Sequence, residues 1–197
     1  MGLDRKQFWV IDVEGNGGKP PEIVELAMVQ VVDLEVTSGV RHWLIHPTMP
    51  ISPYASRIHG LTDEDVHDAP YLSDIEDDLL VWLDGAAIAG HNVRVEVDIL
   101  TRSLPGWARA VAVDTLRLAR ALVPGLRSYS LESVGEALGH TERAARRSTS
   151  QRHHSALFDA TLTAFVFVDL VGRALREGRP DLIKAADILG ASEPRLL

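Results

Sequence analysis

The chain has 197 residues, 46% apolar and 24% charged, which is ordinary globular usage and excludes a disordered, collagen-like or disulfide-stapled protein. It contains no cysteine, so structural disulfides, thiolate zinc sites and cysteine nucleophiles are ruled out together. Its 28 Asp and Glu outnumber 20 Lys and Arg, a net charge of −8, so nucleic acid would have to be held by a local basic patch or by bridging cations rather than by bulk charge.

No apolar run approaches the roughly 18 residues that span a bilayer. Residues 1–6 run straight into a strand-like segment with no signal-peptide core, so the expectation is a cytoplasmic protein with no membrane partner. The length suits one domain over 1–197, with a core at about 8–176 and a helical appendage at about 180–197.

In chain order, residues 8–13 form a short apolar run closed by Gly15-Asn16-Gly17-Gly18, a buried strand and its loop. Ile23–Val32 is rich in β-branched residues and predicts a central strand. Gly39 precedes a third strand over 40–45, and the short connections predict an antiparallel meander. Beyond Pro47 the texture turns helical. Residues 52–58 predict a short helix, and Leu72–Leu83 carries Leu72, Ile75, Leu79 and Leu83 at helical spacing. A compact strand at 86–89 leads to His91-Asn92, with Asn92 as the N-cap of a helix over about 93–103. A last strand at 111–113 is followed by helices at Thr115–Leu122, 130–138, 155–176 and 181–189, stopped by Pro124-Gly125, Gly139 and Gly178. The order predicts an α/β fold with a mixed β-sheet, antiparallel in its first three strands, and flanking helices. Trp9, Trp43, Trp82 and Trp107 fall on different elements and read as packing residues.

Asp12 and Glu14 lie two apart on the first strand, so both side chains project from one face. Such a pair needs cations, a shared proton or open water. On its own it reads as a strand end emerging into solvent. Two further segments change the odds: His91-Asn92-Val93-Arg94-Val95-Glu96, a strand end running into a helix with an acid in its first turn, and His154-Ser155-Ala156-Leu157-Phe158-Asp159, a histidine five positions before an acid.

Taken together, the three segments resemble the DEDD superfamily of 3′–5′ exonucleases, in the histidine-containing DEDDh branch that includes DnaQ-like and ribonuclease T-like enzymes. Ile58-His59-Gly60-Leu61-Thr62 and Asp114-Thr115-Leu116 agree with it, and the resemblance covers roughly residues 8–170. It implies a ribonuclease H-like exonuclease fold. It also implies hydrolysis of single-stranded DNA or RNA from the 3′ end to nucleoside monophosphates, with two divalent ions, Mg2+ or Mn2+, bound by Asp12, Glu14, Glu96 and Asp159. His154 would be the general base, a role that suits a group titrating near neutrality. Non-enzymatic nucleic-acid binding beside a polymerase and hydrolysis of short oligonucleotides stay open, as do a homodimer and a polymerase partner.

The chain departs from the family pattern where Glu96 replaces the usual aspartate. Asp98 cannot substitute for it, because two positions along a helix turn it about 200° away. After Glu14 the chain has Gly15-Asn16-Gly17, which allows close backbone approach and offers Asn16 to the terminal nucleotide. His59 and Asn92 are further candidate substrate contacts. Between Thr141 and His154 four arginines face only Glu142, and the expectation is a phosphate-guiding flap that uses Arg147 and Arg152.

Overall fold

The computed structural model describes residues 7–148 and 155–190. Five strands form one sheet in the order β3-β2-β1-β4-β5. They are β1 (Gln7–Gly15), β2 (Ile23–Val32), β3 (Glu35–Leu44), β4 (Ala87–Gly90) and β5 (Val111–Asp114). β1 pairs antiparallel with β2 and parallel with β4, so the sheet is mixed and its first three strands form the expected meander. This is the α/β fold with a mixed sheet and flanking helices that the sequence predicts.

Alternation along β1 sorts the two cores. Phe8 and Val10 face the long helix α7 (Ala156–Arg176), while Trp9 and Ile11 face α2 (Leu72–Leu83) and α3 (Arg94–Ser103). α7 is buried along most of its length, from Phe158 to Ala174, because it lies across β1 and β2 beneath α4 (Thr115–Leu122), α5 (Leu131–Ala137) and α6 (Thr141–Arg147). Phe8 and Phe167 close that layer with ring centroids 5.0 Å apart. Trp9 and Trp107 are buried in the other layer, and the Trp107 indole N–H donates to the Leu83 carbonyl. α1 (Pro53–His59) packs over the end of β2 through Ala55, Ile51 and Val24, and α8 (Asp181–Ala186) rests on α4 and β5.

Four local expectations are corrected. β3 starts at Glu35 rather than 40, because Asp33 and Leu34 both take positive φ (50° and 62°) and turn the chain in two residues. Residues 141–147, expected as an irregular flap, form α6. Ala, Glu and Arg are good helix formers, and this helix buries only Ala144. α8 ends at Ala186 instead of 189, and Asp187 bridges to Val113. Asn92 is not an N-cap. It sits at φ 68°, its backbone N–H donates to Asp114 Oδ1, and Val93 occupies the cap position of α3.

Candidate active site

β1 delivers Asp12 and Glu14 at its C-terminal end, on the face turned to α7. Asp159 reaches the same place from the first residues of that helix, and one carboxylate oxygen from each of the three lies within 4.8 Å of the others. Glu96 is in the first turn of α3, 6% exposed, and its Oε2 is buried with no hydrogen-bond partner among the described residues. Asp98, two residues on, turns to solvent. The helical phase thus carries Glu96 inward and Asp98 outward.

The electrostatics follow from burial and crowding. Burial first, then the charges of Asp159, Glu96, Glu14 and Glu25, hold the Asp12 carboxyl well above the usual carboxylate range. Glu14 is pushed up to about 8, by burial and then by Asp159, Glu25 and Glu96. Glu96 rises to about 8, chiefly by burial. A bond from its own backbone N–H opposes the shift, and Asp114 adds to it. Without a cation such a group retains protons. The clustered carboxylates of Asp12, Glu14 and Asp159 are the oxygen-rich donor set that a hard divalent ion takes. Glu96, outside that cluster but with its charge felt at Asp12 and Glu14, adds a buried oxygen that no described residue satisfies. These residues fit a metal.

The loop after β1 is built by Asn16, which is 1% exposed. Its Oδ1 accepts from the N–H groups of Gly18 and Glu22, and its Nδ2 donates to the Met49 carbonyl. The expectation that Asn16 meets the terminal nucleotide is therefore corrected: its amide is buried, with its oxygen engaged within the loop and its nitrogen by the Met49 carbonyl. Gly17 has φ 75°, and a Cβ there would lie 2.3 Å from Ser52 Oγ, so only glycine lets the loop close on α1. His59 is buried. Its Nδ1 accepts from the Leu61 N–H and its Nε2 donates to the Gly15 carbonyl at 3.2 Å, so the ring braces the end of β1 with both nitrogens engaged. Gly15 itself lies at a register shift, with room for a Cβ only 3.3 Å from that of Pro21.

Asn92 is exposed at the start of α3, held in its left-handed conformation by Asp114. Arg147 is exposed at the end of α6, and its guanidinium donates to the Thr37 carbonyl on β3, so it is engaged with the sheet rather than aimed at the carboxylates. His154 and Arg152 lie outside the described residues.

One residue at the site escaped the sequence reading. Glu25 stands opposite Glu14 on β2, is 4% exposed, and its charge adds to the rise at Asp12 and Glu14. The available signal was a single acid inside the apolar run Ile23-Val24-Glu25-Leu26-Ala27-Met28.

Comparisons with known proteins agree with this geometry. The exonuclease family of ribonuclease T type matches residues 9–167. The DNA polymerase III subunit epsilon of Rickettsia felis is 30% identical over 189 residues, covering 90% of this chain and 77% of that subunit. Shares of other relatives fall to 12% of the partner's length. Exonuclease X, solved in complex with 5′-overhanging duplex DNA, is 28% identical with a TM-score of 0.66, over 89% of this chain and 99% of that one. The nuclease domain of 3′hExo, a DEDDh family member bound to rAMP, has the same fold at 18% identity, with a TM-score of 0.68 over 91% of this chain and 96% of that one. With Asp12 and Glu14 of β1 and Asp159 of α7 gathered at one place, and with residues 9–167 matched, the chain belongs to the exonuclease family, in its DnaQ-like branch.

Proposed function

We propose that the protein removes nucleoside 5′-monophosphates one at a time from the 3′ end of single-stranded nucleic acid, with Asp12, Glu14, Glu96 and Asp159 holding two Mg2+ or Mn2+ ions. The convergence of Asp12, Glu14 and Asp159 within 4.8 Å carries this reading, with the unsatisfied Glu96 oxygen beside them. When bound, a pair of divalent ions supplies a nucleophile at neutral pH and stabilises charge growing on the leaving oxygen.

The chain's own residues do the rest. His154 takes a proton from the attacking water as its oxygen bonds to phosphorus, and the bond from phosphorus to the 3′ oxygen of the preceding nucleotide breaks. That oxygen leaves with the electron pair and takes its proton from solvent. Asp159 lies in the first turn of α7, and His154 precedes it by five positions in the sequence, the spacing on which the role of base is carried over. Gly15, braced by His59, lets the scissile backbone approach closely, exposed Asn92 is offered to the nucleotide, and Arg152 is assigned to its phosphates from the sequence. Arg147 would join them only after leaving the Thr37 carbonyl.

The polymerase III relative supports DNA as substrate and a polymerase as partner, and the Exonuclease X complex supports a 3′ end recessed in duplex as a second substrate form. The test is incubation with 5′-labelled single-stranded DNA, single-stranded RNA and recessed-end duplex in Mg2+, Mn2+ or EDTA. A ladder shortening from the 3′ end with either ion and none in EDTA is expected. Binding without shortening in both ions would leave the protein as a non-catalytic module.

A further inference from the structure

Glu25 has no place in the set of residues just assigned, yet it is almost fully buried and both of its carboxylate oxygens are engaged. Oε1 accepts from His42 Nε2 on β3 at 2.7 Å, and Oε2 accepts from the backbone N–H of Ala156, the first residue of α7, at 2.9 Å. The first N–H groups of a helix have no partner within it, and a carboxylate there also meets the positive end of the helix dipole. Ser155 Oγ takes a second such group, the Phe158 N–H at 3.3 Å. Between them these two contacts fix where α7 begins against the sheet.

That junction governs the site. Asp159 is three residues beyond Ala156, in the first turn of α7, so it rides on the anchored point. Glu25 is also the cross-strand neighbour of Glu14. A single side chain on β2, the strand paired with the one that carries Glu14, therefore ties the sheet to the helix that carries Asp159, and His42 on β3 restrains it from the far side. Burying a negative charge beside carboxylates that already repel is unfavourable, which is hard to explain by packing alone.

We infer that Glu25 is a positioning residue of the exonuclease site: bridging His42 to the Ala156 N–H, it sets the distance between Asp159 on α7 and Asp12 and Glu14 on β1 at which those acids share an ion. This inference rests on the assignment of Asp12, Glu14 and Asp159 as metal ligands. Groups that orient direct ligands typically govern metal affinity or activity by about 10–100-fold.

The test compares the full-length wild type with E25M, which keeps the volume but cannot accept, E25Q, which keeps an acceptor oxygen without the charge, and H42A. Mn2+ binding is measured by calorimetry without nucleic acid, and kcat and KM on a labelled oligonucleotide. Folding is checked by circular dichroism. E25M is expected to weaken Mn2+ binding and lower kcat by about 10–100-fold each with KM little changed. E25Q should recover most of kcat at saturating Mn2+, and H42A should shift both quantities the same way by less. E25Q impaired as severely as E25M would overturn the inference, because the charge and not the bond to Ala156 would then matter. Wild-type behaviour of E25M would overturn it too. His42 is more than a third exposed, so H42A decides if E25M does not fold, and unchanged Mn2+ binding and kcat in H42A would then overturn the bridge. D12A measured alongside separates the two levels: turnover surviving in D12A sinks the ligand assignment, whereas an inactive D12A with a wild-type E25M sinks only the role of Glu25.

Discussion

Asp12 and Glu96 are held in protonation states that an isolated carboxyl would leave near pH 4, and this makes their charge experimentally separable from their shape. Asp12→Asn and Glu96→Gln are nearly isosteric, replace a carboxyl that burial holds against ionisation with an amide that never ionises, and should leave the fold intact. Each should destroy turnover and at the same time raise the melting temperature of the metal-free protein at pH 8. Several kcal/mol of transition-state stabilisation comes from a bound ion, and at about 1.4 kcal/mol per tenfold the loss in kcat should reach about a thousandfold. The stability gain comes from relieving the cost of ionising a buried carboxyl as pH rises, a cost set first by burial and then by the neighbouring charges. Steady-state kinetics and thermal melts in EDTA on the same preparations check both halves. A variant that is inactive and also melts lower would show that these acids hold the fold together instead of straining it.

At the scale of elements, the site depends on α7 lying where its neighbours put it. α5 approaches so closely that a Cβ on Gly135 would come within 2.9 Å of both Cδ atoms of Leu162, a fully buried residue of α7 with nowhere to retreat. Gly135→Ala would improve intrinsic helix propensity, yet overpacking of this kind costs about 1–3 kcal/mol. The clash wins, and the melting temperature should fall by about 2–4 °C for each kcal/mol in a chain of this size. An unchanged melting temperature would show that the two helices can part. The elements that bear the site were legible because each combined a strong period with punctuation: β1 ends in Gly15-Asn16-Gly17-Gly18, and α7 carries Ser155 as its cap. What was not legible was tertiary. The β2–β3 turn uses Asp33 and Leu34 at positive φ without a glycine to announce it. α6 buries one alanine and so shows no apolar stripe. Asn92 has the chemistry of a cap but is diverted by Asp114, 22 residues away. Asn16 has the chemistry of a substrate contact but is buried, its amide engaged by Gly18, Glu22 and Met49.

Over the whole molecule these carboxylates make stability depend on pH in an unusual direction. Glu14 and Glu96 have ordinary values of 4.5 and titrate at about 8 in the folded, metal-free protein. Between those limits the unfolded chain has released protons that the folded chain still binds, and stability falls as pH rises wherever the folded state binds more protons. The metal-free protein should therefore melt highest near pH 5–6 and progressively lower towards pH 8–9. A divalent ion reverses the trend, because it requires ionised ligands and competes with those protons, so its stabilisation grows with pH. At an ion concentration a hundred times its dissociation constant the gain is about 2.7 kcal/mol, or about 5–10 °C at 2–4 °C per kcal/mol. Melts in EDTA and in Mn2+ from pH 5.5 to 8.5 should form two curves that diverge as pH increases. Parallel curves would mean that the acids at the end of β1 exchange protons with solvent independently of the ion, and so do not hold it.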